Sequence, residues 1–422
     1  MEQIIKFLVH SEEFSGKHKE SEVGFIPNDW MVKKVSEFTE VYSGGTPSTL
    51  RMDYWGGEIR WMKSGELNLK IVYDVENRIT DKGLQSSATK LIPKNCILIG
   101  LAGQGKTRGT VAINKVELCT NQSIAAILPC DEVDYNFLYF NLDFRYNELR
   151  MLSTGDGGRG GLNLSIINNL FIQLPSTLME QAAIAKALSD ADKYIQSLEN
   201  LIAKKRLVKQ GAMQELLKPK EGWVVKKLGD ECELITKGTT PTSIGKEFQD
   251  DGVNFIKIES LKENGKIIHE KVAFIDAQTN LILKRSQLKT GDILFSIAGA
   301  LGRIAIVKKE ILPANTNQAL AIIRLRNDSE IELNYLFYFL NNEKIQSHIL
   351  KISVQGAQAN LSLLNIYYLP IEYPSKSEQT WIAIILGDIE KEIESIEKLL
   401  EKARHIKQGM MQQLLTGKIR LV

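Results

Sequence analysis

The chain has 422 residues, of which 43% are hydrophobic and 25% are charged, and its formal net charge is +2. This length predicts two to three domains, and the composition excludes a disordered or fibrous protein. No apolar run approaches the roughly 18 residues that a membrane-spanning helix needs. The first ten residues lack a secretory h-region, so we expect a cytoplasmic protein without a signal peptide.

Cysteine usage and net charge narrow the class further. Four scattered cysteines form no CxxC pair, which indicates reduced thiols rather than disulfides or zinc ligands. They are Cys96, Cys119, Cys130 and Cys232. Because the net charge is close to zero, a surface that binds nucleic acid would have to be a local basic patch.

The sequence contains an internal repeat with a period near 195 residues. Six short segments recur in the same order, with an offset that drifts from 193 to 198. The matched segments begin at Trp30 and Trp223, Gly45 and Gly238, Thr120 and Thr316, Asn163 and Asn360, Glu180 and Glu378, and Lys209 and Lys407. Two copies of this size indicate two domains, each followed by the same tail, rather than a solenoid.

Each copy has two parts of different character. Residues 22–175 and 220–374 are rich in Gly, Thr, Val and Ile, with short apolar runs between turn residues. This texture predicts two mixed α/β (α+β) domains in tandem, preceded by an N-terminal leader at 1–21. Within them, strands are expected at 96–99 and 293–295, and short helices at 135–142 and 335–341.

A long helix is predicted after each domain, within residues 176–219 and within residues 375–422, which also include a C-terminal tail. Apolar residues recur there at alternating steps of four and three, which is typical of a heptad seam. The seam positions are Ile184, Leu188, Ile195, Leu198 and Ile202, and then Ile382, Leu386, Ile389, Ile393, Ile396 and Leu400. We therefore predict that the two helices pair as an antiparallel coiled coil; the alternative is that each helix packs on its own domain.

The predicted helices have a common length and a common irregularity. Each could extend over nearly 40 residues, on the order of 55–60 Å at 1.5 Å per residue. Gly211 and Gly409 occupy the same place in the two helices, so the sequence leaves room for a kink at both.

Residues 100–107 match the P-loop pattern GxxxxGK[ST] letter for letter. In a true P-loop a helix follows, and its N-terminus cradles phosphates. Here the β-branched residues after Gly109 predict a strand, and the second copy lacks the Lys-Thr pair. We interpret both copies as a glycine-rich turn between two strands, and ATP binding remains the alternative.

Signatures of catalysis are missing. None of the five histidines recurs at a matching position, and the chain has no HExxH, GxSxG, Pro-Pro or strand–GxGxxG–helix motif. We therefore predict no catalytic site, no cofactor site and no metal site in this chain.

Polar residues suited to nucleic acid recur in the loops of both copies. Arg and Lys read guanine, Asn and Gln read adenine, and Ser and Thr bond to bases or phosphates. The candidates are Thr46, Ser48, Lys63, Gln104, Lys106, Arg108, Asn121, Gln122, Arg159 and Asn163, and then Thr240, Thr242, Lys257, Arg303, Asn317, Gln318, Gln355, Gln358 and Asn360. The alternative for each is a side chain that stabilises a turn. We favour that alternative for Asn121 and Asn317, which lie beside apolar strand residues.

Several segments resemble the specificity subunit of Type I restriction–modification systems. These are residues 24–30 (GFIPNDW), 44–48 (GGTPS), 163–165 (NLS), 175–181 and 412–419 (QQLLTGKI). The resemblance covers nearly the whole chain, in order and in both copies. One departure is the stretch 155–161, which is nearly all glycine where the family usually has a polar segment like that from Gln355 to Asn360.

The resemblance implies a target-recognition role for each globular domain, while the long helices act as a spacer and dock two adenine methyltransferase subunits. Those partners would flip an adenine out of double-stranded DNA and methylate it with S-adenosylmethionine. Restriction subunits, where present, would use ATP and Mg. The chain itself would bind DNA without catalysis. The alternatives are a P-loop NTPase and a coiled-coil scaffold without DNA affinity.

The divergence of the two copies predicts the form of the target. Their loops differ, so we expect a bipartite, asymmetric sequence rather than a palindrome. Because the helices have a fixed length, we expect a fixed gap between the two half-sites of the DNA target. The centres of the half-sites should lie about 10 base pairs apart.

Overall fold

The structure is a computed structural model that describes residues 18–103, 105, 107–152, 161–262, 264–353 and 360–421. The chain divides into two compact units. The first comprises residues 1–199 and 398–422, and the second comprises residues 200–397. Most of the predicted leader, residues 1–17, lies outside the described residues. In the described part of the chain, no helix is long and apolar enough to cross a membrane.

The first unit is built around a five-stranded sheet. Its strands are β1 (His18–Ser21), β2 (Gly24–Pro27), β3 (Met31–Lys34), β4 (Val41–Ser43), β5 (Trp55–Met62), β6 (Ile71–Val72), β7 (Asn77–Ile79), β8 (Ile97–Gly100), β9 (Val111–Asn114), β10 (Cys119–Thr120), β11 (Ile124–Ile127) and β12 (Phe171–Leu174). The sheets have the orders β4-β11-β8-β9-β6, β10-β5-β7, β1-β2 and β12-β3. The helices are α1 (Val35–Phe38), α2 (Asp81–Gln85), α3 (Tyr135–Phe144), α4 (Tyr146–Leu152), α5 (Leu164–Asn168) and α6 (Leu178–Leu216), which continues into the residues of the second unit.

The five-stranded sheet is buried on both faces. Along β8, Ile97 and Ile99 join one hydrophobic core, which includes Phe137 of α3, while Leu98 joins a second core with Met62. Successive side chains of a strand point to opposite faces, so a strand between two cores must be apolar at every position. This is why the sequence shows a continuous apolar run there rather than an alternating pattern.

The second unit repeats this plan. Its strands are β13 (Val224–Lys227), β14 (Cys232–Lys237), β15 (Val253–Ile256), β16 (Ala273–Ile275), β17 (Ile293–Ser296), β18 (Ile304–Ile306), β19 (Ala314–Thr316), β20 (Leu320–Leu325) and β21 (Pro370–Tyr373). The sheets have the orders β14-β20-β17-β18, β16-β15-β19 and β13-β21. The helices are α7 (Ala277–Ile282), α8 (Leu333–Leu340), α9 (Glu343–Ser353), α10 (Leu363–Tyr367) and α11 (Lys376–Leu414). The predicted tandem mixed α/β fold with two long helices is therefore confirmed.

The long helices α6 and α11 have 39 residues each, as the repeat predicts. Both continue without interruption through Gly211 and Gly409, so neither glycine ends its helix. Each unit contains the first part of one helix and the last part of the other.

Ion pairs join the two helices within each unit. In the first unit, Arg404 lies 2.6 Å from Glu199 and Lys407 lies 2.5 Å from Asp192. In the second unit the pairs are Lys205–Glu392 and Arg206–Glu397, both at 2.7 Å, and Lys209–Glu390. In both units the residue numbers rise along one helix as they fall along the other, which makes the pairing antiparallel.

The predicted seam positions have two kinds of surroundings. Most are buried, and Ile195 and Ile389 are half-buried. The first positions of each seam belong to the globular cores: Ile184 and Leu188 to that of the first unit, Ile382 and Leu386 to that of the second. The first turns of each helix therefore pack on a domain, as the alternative prediction proposed. The charged residues that pair with the other helix lie further along the chain.

The end of each helix completes a globular core. In the first unit, Met410, Met411, Leu414 and Leu415 are buried in the same core as Trp30. In the second unit, the core takes in Leu217, just after α6, and Ala212, Met213 and Leu216 pack against it. The recurring Lys-Gln-Gly-x-Met-Gln segment therefore has a structural role through its methionine.

The C-terminal tail is held in the first unit by a buried ion pair. The Arg420 guanidinium donates to both carboxylate oxygens of Glu180, which is 1% exposed, and to both oxygens of Asp29 at 2.8 Å. The hydrogen bond from Arg420 lowers the pKa of Asp29, and the hydrogen bond to Glu180 raises the pKa of Arg420. Both ions are therefore kept in their charged forms.

Replacing Arg420 with methionine should strongly destabilise the first unit, because the Glu180 carboxylate is left buried without a cation. Breaking such a pair costs about 3–5 kcal/mol. The free energy of unfolding can be measured in urea for R420M and for the matched double variant R420M/E180M, which removes both charges. We expect the double variant to recover most of the loss. Equal stability of R420M and wild type would contradict this account.

Candidate nucleic-acid interface

Main-chain hydrogen bonds bring five separate segments of the first unit to one place. The segments are the loop after β4, the residue after β5, the loop between β8 and β9, the turn between β10 and β11, and the residues before α5. The bonds are Gly45 N–H to Thr120 O (2.9 Å), Asn121 N–H to Met62 O (3.1 Å), Leu101 N–H to Ser123 O (2.8 Å) and Leu162 N–H to Leu101 O (3.0 Å). The described candidates of the first copy all lie in these segments.

The second unit gathers the corresponding segments in the same way. The bonds are Gly238 N–H to Asn317 O (3.1 Å), Ile297 N–H to Ala319 O (2.9 Å), Leu361 N–H to Ile297 O (2.9 Å) and Thr316 Oγ1–H to Ile256 O (2.8 Å). The sequence repeat is therefore also a repeat of one loop cluster, built twice from residues far apart in each domain.

In each cluster, a glycine lies against the main-chain oxygen of an equivalent threonine. A Cβ on Gly44 would lie 2.0 Å from the Thr120 oxygen, and one on Gly238 would lie 1.8 Å from the Thr316 oxygen. Gly44 is therefore the counterpart of Gly238, rather than Gly45, where the sequence repeat places the start of the matching segment. Below the first loop, the buried Trp61 donates its indole N–H to Gly45 O at 2.9 Å.

A threonine and a glutamine bond to each other in both clusters. Thr46 Oγ1 donates to Gln122 Oε1 at 2.6 Å. Thr240 Oγ1 donates to Gln318 Oε1, and the Thr240 N–H donates to the same oxygen at 3.1 Å. Both glutamines are exposed. These four candidates thus form two equivalent pairs.

The asparagines beside the glutamines shape the turn itself. The Asn121 Oδ1 accepts from Ser123 N–H, and the Asn317 Oδ1 accepts from Ala319 N–H, both at 3.1 Å. A side chain that bonds the backbone two residues further on is typical of an Asx turn. This geometry is what the turn-stabilising alternative requires for both residues.

Two lysine candidates follow equivalent strands, β5 and β15. Lys63 begins a short 3-10 helix, Ser64–Leu69, and its ammonium lies 3.7 Å from a Glu76 oxygen. Lys257 precedes the 3-10 helix Ile258–Ser260, and its ammonium lies 4.2 Å from the centre of the Phe248 ring. Of the two, Lys63 has the more solvent-exposed side chain.

The segment that matches the P-loop pattern is the loop of a β-hairpin. Strands β8 and β9 are antiparallel, with Ile99 opposite Val111, and Gly109 N–H donates to Gly100 O at 2.9 Å. A P-loop instead leads from a strand into a helix whose N-terminus holds the phosphates. The interpretation as a glycine-rich turn between two strands is therefore confirmed.

The second unit has the same hairpin with a shorter loop. Phe295 lies opposite Ile304, and Gly302 N–H donates to Ser296 O at 3.1 Å. Ten residues, 101–110, connect the strands in the first unit, and seven, 297–303, connect them in the second. The hairpin loop is thus a place where the two copies differ in length as well as in sequence.

The arginine candidates lie at different positions of these loops. Arg303 is the last loop residue before β18, and its counterpart in the first unit is Thr110, because both residues accept the same hairpin bond. Arg108 lies two residues earlier. No described residue bonds or pairs with the Arg303 guanidinium, which is half-exposed. The two arginines are therefore not structural counterparts.

The sequence match of Asn163 with Asn360 is wrong by two residues. Asn163 caps α5 by accepting from Ile166 N–H at 2.9 Å, whereas Ser362 caps α10 by accepting from Asn365 N–H at 3.0 Å. Asn163 and Ser362 are thus counterparts, because either residue type can cap a helix. Asn360 lies exposed before that cap.

The remaining candidates fall into two groups. Ser48 and Thr242 are exposed in their loops. Five candidates lie outside the described residues, as do residues 155–160 of the glycine-rich stretch: Gln104, Lys106, Arg159, Gln355 and Gln358. Within the described residues, no group of three or more His, Cys, Asp or Glu side chains could hold a metal ion.

Two residues that the sequence analysis missed brace the hairpin loops. Arg150 of α4 donates to Gly105 O at 2.5 Å, and Gln346 of α9 donates to Gly302 O at 3.1 Å. Both follow the short aromatic helix of their unit, but their residue types differ. A sequence comparison that looks for identical letters therefore could not find them.

The structure also shows what the glutamine of the recurring Glu-Gln pair does, which the sequence did not indicate. Gln181 is buried, accepts from Asp134 N–H at 2.8 Å and donates to Pro175 O at 3.1 Å. Gln379 is buried too and bonds Glu332 N–H and Pro374 O in the same way. The Glu-Gln signal in the sequence therefore marks a clamp between the helix start and the domain, not a binding residue.

Because residues 100–107 belong to a hairpin, substitution of Lys106 should leave any use of ATP unchanged. We expect no ATP binding by the isolated chain and no difference between wild type and K106A, measured by calorimetry with Mg-ATP. A matched K115A variant controls for the loss of one positive charge. ATP binding by the wild-type chain that K106A abolishes would overturn the hairpin interpretation.

Comparison with known families adds an independent observation. The model of the Type I restriction modification DNA specificity domain matches residues 27–205 and again residues 220–405. The Type I restriction enzyme MjaIX specificity subunit of Methanocaldococcus jannaschii is 27% identical, over 96% of this chain and 96% of the relative.

Two solved structures share the fold. The S subunit of a Type I restriction–modification system from M. genitalium has a TM-score of 0.55 at 17% identity, over 91% of this chain and 96% of that chain. A chain from a study of complex assembly and conformational transition of the type I R-M system has a TM-score of 0.61 at 15% identity, over 93% and 99%. At these identities the likeness concerns the fold alone.

Proposed function

The chain belongs to the family of the Type I restriction modification DNA specificity domain, and from that premise we propose that it selects the DNA target of a Type I restriction–modification complex. It is a non-catalytic component of that complex. We assign target recognition to residues 22–175 and 220–374, with one half-site for each domain. The long helices within 176–219 and 375–422 are proposed as the spacer and as the docking surface for partners.

The observation that supports this proposal best is the loop cluster, which is built in the same way in both units. Exposed loops on a rigid scaffold are where binding residues concentrate. In each unit, segments far apart in sequence are fixed to one another by hydrogen bonds to main-chain oxygens, so their polar side chains can act as one surface. Such side chains suit hydrogen bonds to base edges and phosphates.

The differences between the clusters support an asymmetric, bipartite target. The hairpin loops differ by three residues in length, and Arg303 occupies the position of Thr110. Different side chains read different bases, so we propose two unlike half-sites. Because both helices have the same fixed length, the gap between the half-sites is proposed to be fixed as well.

The partners supply the chemistry. We propose that two adenine methyltransferase subunits bind this chain, and that each flips out an adenine and methylates it with S-adenosylmethionine. Restriction subunits would add ATP- and Mg-dependent cleavage. This chain would bind none of these small molecules; its residues bind DNA and position the partners over it.

A coiled-coil scaffold without DNA affinity is the alternative that remains. The two readings differ in a gel-shift or anisotropy titration with duplex DNA. A specificity subunit should bind DNA with an affinity that falls steeply as salt rises, because phosphate contacts release counterions. A scaffold should give no shift at any salt concentration.

Exchange of one domain should change one half-site only. We expect replacement of residues 22–175 by the equivalent domain of another family member to alter one half of the methylated sequence and leave the other half and the gap unchanged. The readout is sequencing of methylated adenines in cells that also carry the methyltransferase. The reciprocal exchange of 220–374 is the control. A palindromic target, or a change in both halves, would contradict the two-reader proposal.

Two glycines support partner docking on the outer surfaces of the helices. Gly211 and Gly409 are exposed, and a Cβ on either would meet nothing within 4 Å. Glycine inside a helix costs about 1 kcal/mol relative to alanine, and no described residue of this chain requires the missing side chain. Close approach of a partner to the helix would explain why a glycine, with no side chain, occupies this position. Leu207 and Val208, exposed one turn before Gly211, add apolar area.

Substitution at these glycines should therefore separate stability from assembly. We expect G211A and G409A each to raise the free energy of unfolding of the isolated chain by about 0.5–1 kcal/mol. G211Q or G409Q should each lose one of two methyltransferase subunits, as measured by native mass spectrometry. Lys204→Gln and Lys402→Gln, exposed on the same helices, are the matched controls. Full assembly of the double variant G211Q/G409Q would rule out docking at the glycines.

A further inference from the structure

The two threonine–glutamine pairs present the same chemical group to the solvent. In both, the glutamine oxygen is occupied: Gln122 Oε1 accepts from Thr46 Oγ1 at 2.6 Å, and Gln318 Oε1 accepts from the hydroxyl and the N–H of Thr240. Because a backbone N–H can only donate, the atom it meets must be the amide oxygen, which fixes the orientation of Gln318. The amide nitrogen then points away from the threonine.

That nitrogen is available for a ligand. Among the described residues, none accepts a hydrogen bond from Nε2 of Gln122 or of Gln318, and both side chains are exposed. Each pair therefore offers N–H donors with the amide oxygen already engaged. A glutamine that reads adenine needs its oxygen for the adenine N6 amino group and its nitrogen for N7. The observed bonds use both lone pairs of the Gln318 oxygen and one of the two on the Gln122 oxygen, so they compete with adenine recognition at both residues and most strongly at Gln318.

The surroundings favour an anionic acceptor. In the second unit, the Arg285 guanidinium donates to Lys237 O at 3.4 Å. This bond places the exposed Arg285 next to the exposed Lys237, the residue that precedes Gly238. In the first unit, the exposed Lys90 has its ammonium 3.9 Å from the centre of the Tyr42 ring, two residues before Gly44. Neither Arg285, Lys237 nor Lys90 forms an ion pair with another described residue.

The repeat itself distinguishes a phosphate from a base. The two hairpin loops differ in length and sequence, whereas the threonine–glutamine pair has the same residues and the same bond in both units. A feature identical in two domains cannot make them read different bases. A phosphate group, in contrast, has the same structure at every position of DNA.

We propose that the pairs Thr46–Gln122 and Thr240–Gln318 are two equivalent phosphate clamps, in which the glutamine amide donates to a phosphodiester oxygen in each half-site. This inference rests on the proposed function, since it requires that both domains bind duplex DNA. The clamps fix the position of each domain on the DNA backbone. The hairpin loops 101–110 and 297–303 are then left to select the bases.

The test compares affinity with selectivity. Q122L and Q318L remove the amide donors and leave an apolar side chain that is one atom shorter. We expect each to weaken binding of the target duplex and of a scrambled duplex by the same factor, about tenfold, because a hydrogen bond to a charged group is lost. The ratio of the two affinities and the methylated sequence in cells should not change. The readouts are fluorescence anisotropy of the full chain with its methyltransferase, and methylome sequencing.

Three further measurements make the test specific. Thr46→Ser and Thr240→Ser keep the hydroxyl and should bind like wild type, whereas valine at either position should weaken both duplexes. Replacing single phosphates by neutral methylphosphonates should identify one phosphate in each half-site that weakens wild type but not the leucine variant. Arg303→Ala, in the hairpin loop, should instead lower the preference for the target over the scrambled duplex.

The outcomes separate this inference from the proposed function. Wild-type binding of both duplexes with no effect of Q122L and Q318L would overturn the clamps and leave the DNA-binding function intact. A loss confined to the target duplex, or a changed methylated sequence, would make the glutamines base readers and also overturn the clamps. A wild-type complex that binds neither duplex would overturn the proposed function itself.

Discussion

Each globular unit depends on the end of a long helix, and in the first unit that helix end comes from a part of the chain remote in sequence. The core of the first unit is incomplete without Met410, Met411 and Leu414, and Arg420 is the cation for the buried Glu180 carboxylate. The core of the second unit is closed by Leu217. Burial of large apolar side chains contributes about 1.5–3 kcal/mol each, so removal of either helix end would expose several such contributions at once. Each globular domain and the helix end that is packed on it therefore depend on each other for stability.

The direction of the helix pair is encoded mainly in the order of charges along each helix. In α6, acidic Asp192 and Glu199 come first and basic Lys205 and Arg206 follow; α11 has the same order, from its glutamates to Arg404 and Lys407. Antiparallel pairing sets acid against base in both units, and parallel pairing would set like charges against each other. Because exposed pairs contribute only about 0–1 kcal/mol each, their effect is on orientation more than on stability.

The sequence predicted the repeated architecture well because its signals are long-range and physical. Apolar periodicity that runs from Ile184 to Ile202 and again from Ile382 to Leu400 is hard to produce by chance, and both helices have the predicted length. Single letters were less reliable. Residues 100–107 satisfy a P-loop pattern but form a hairpin loop, since the pattern does not include the helix that must follow. Asn163 was matched to Asn360 by identity, yet its structural counterpart is Ser362, because helix capping accepts either side chain.

The sequence alone could not show whether a residue recurs in both copies because it supports the fold or because it binds a ligand. Gln181 and Gln379 bond a helix start to its domain, and Asn121 and Asn317 bond within a turn, whatever else their side chains contact. Their bonds are visible only once the backbone is placed. If two domains share a scaffold but read different bases, the polar groups that they have in common can only position each domain on the DNA. The residues that select the bases must lie where the two copies have diverged. In this chain, the loops between β8 and β9 and between β17 and β18 are one described place where the two copies differ in both length and sequence.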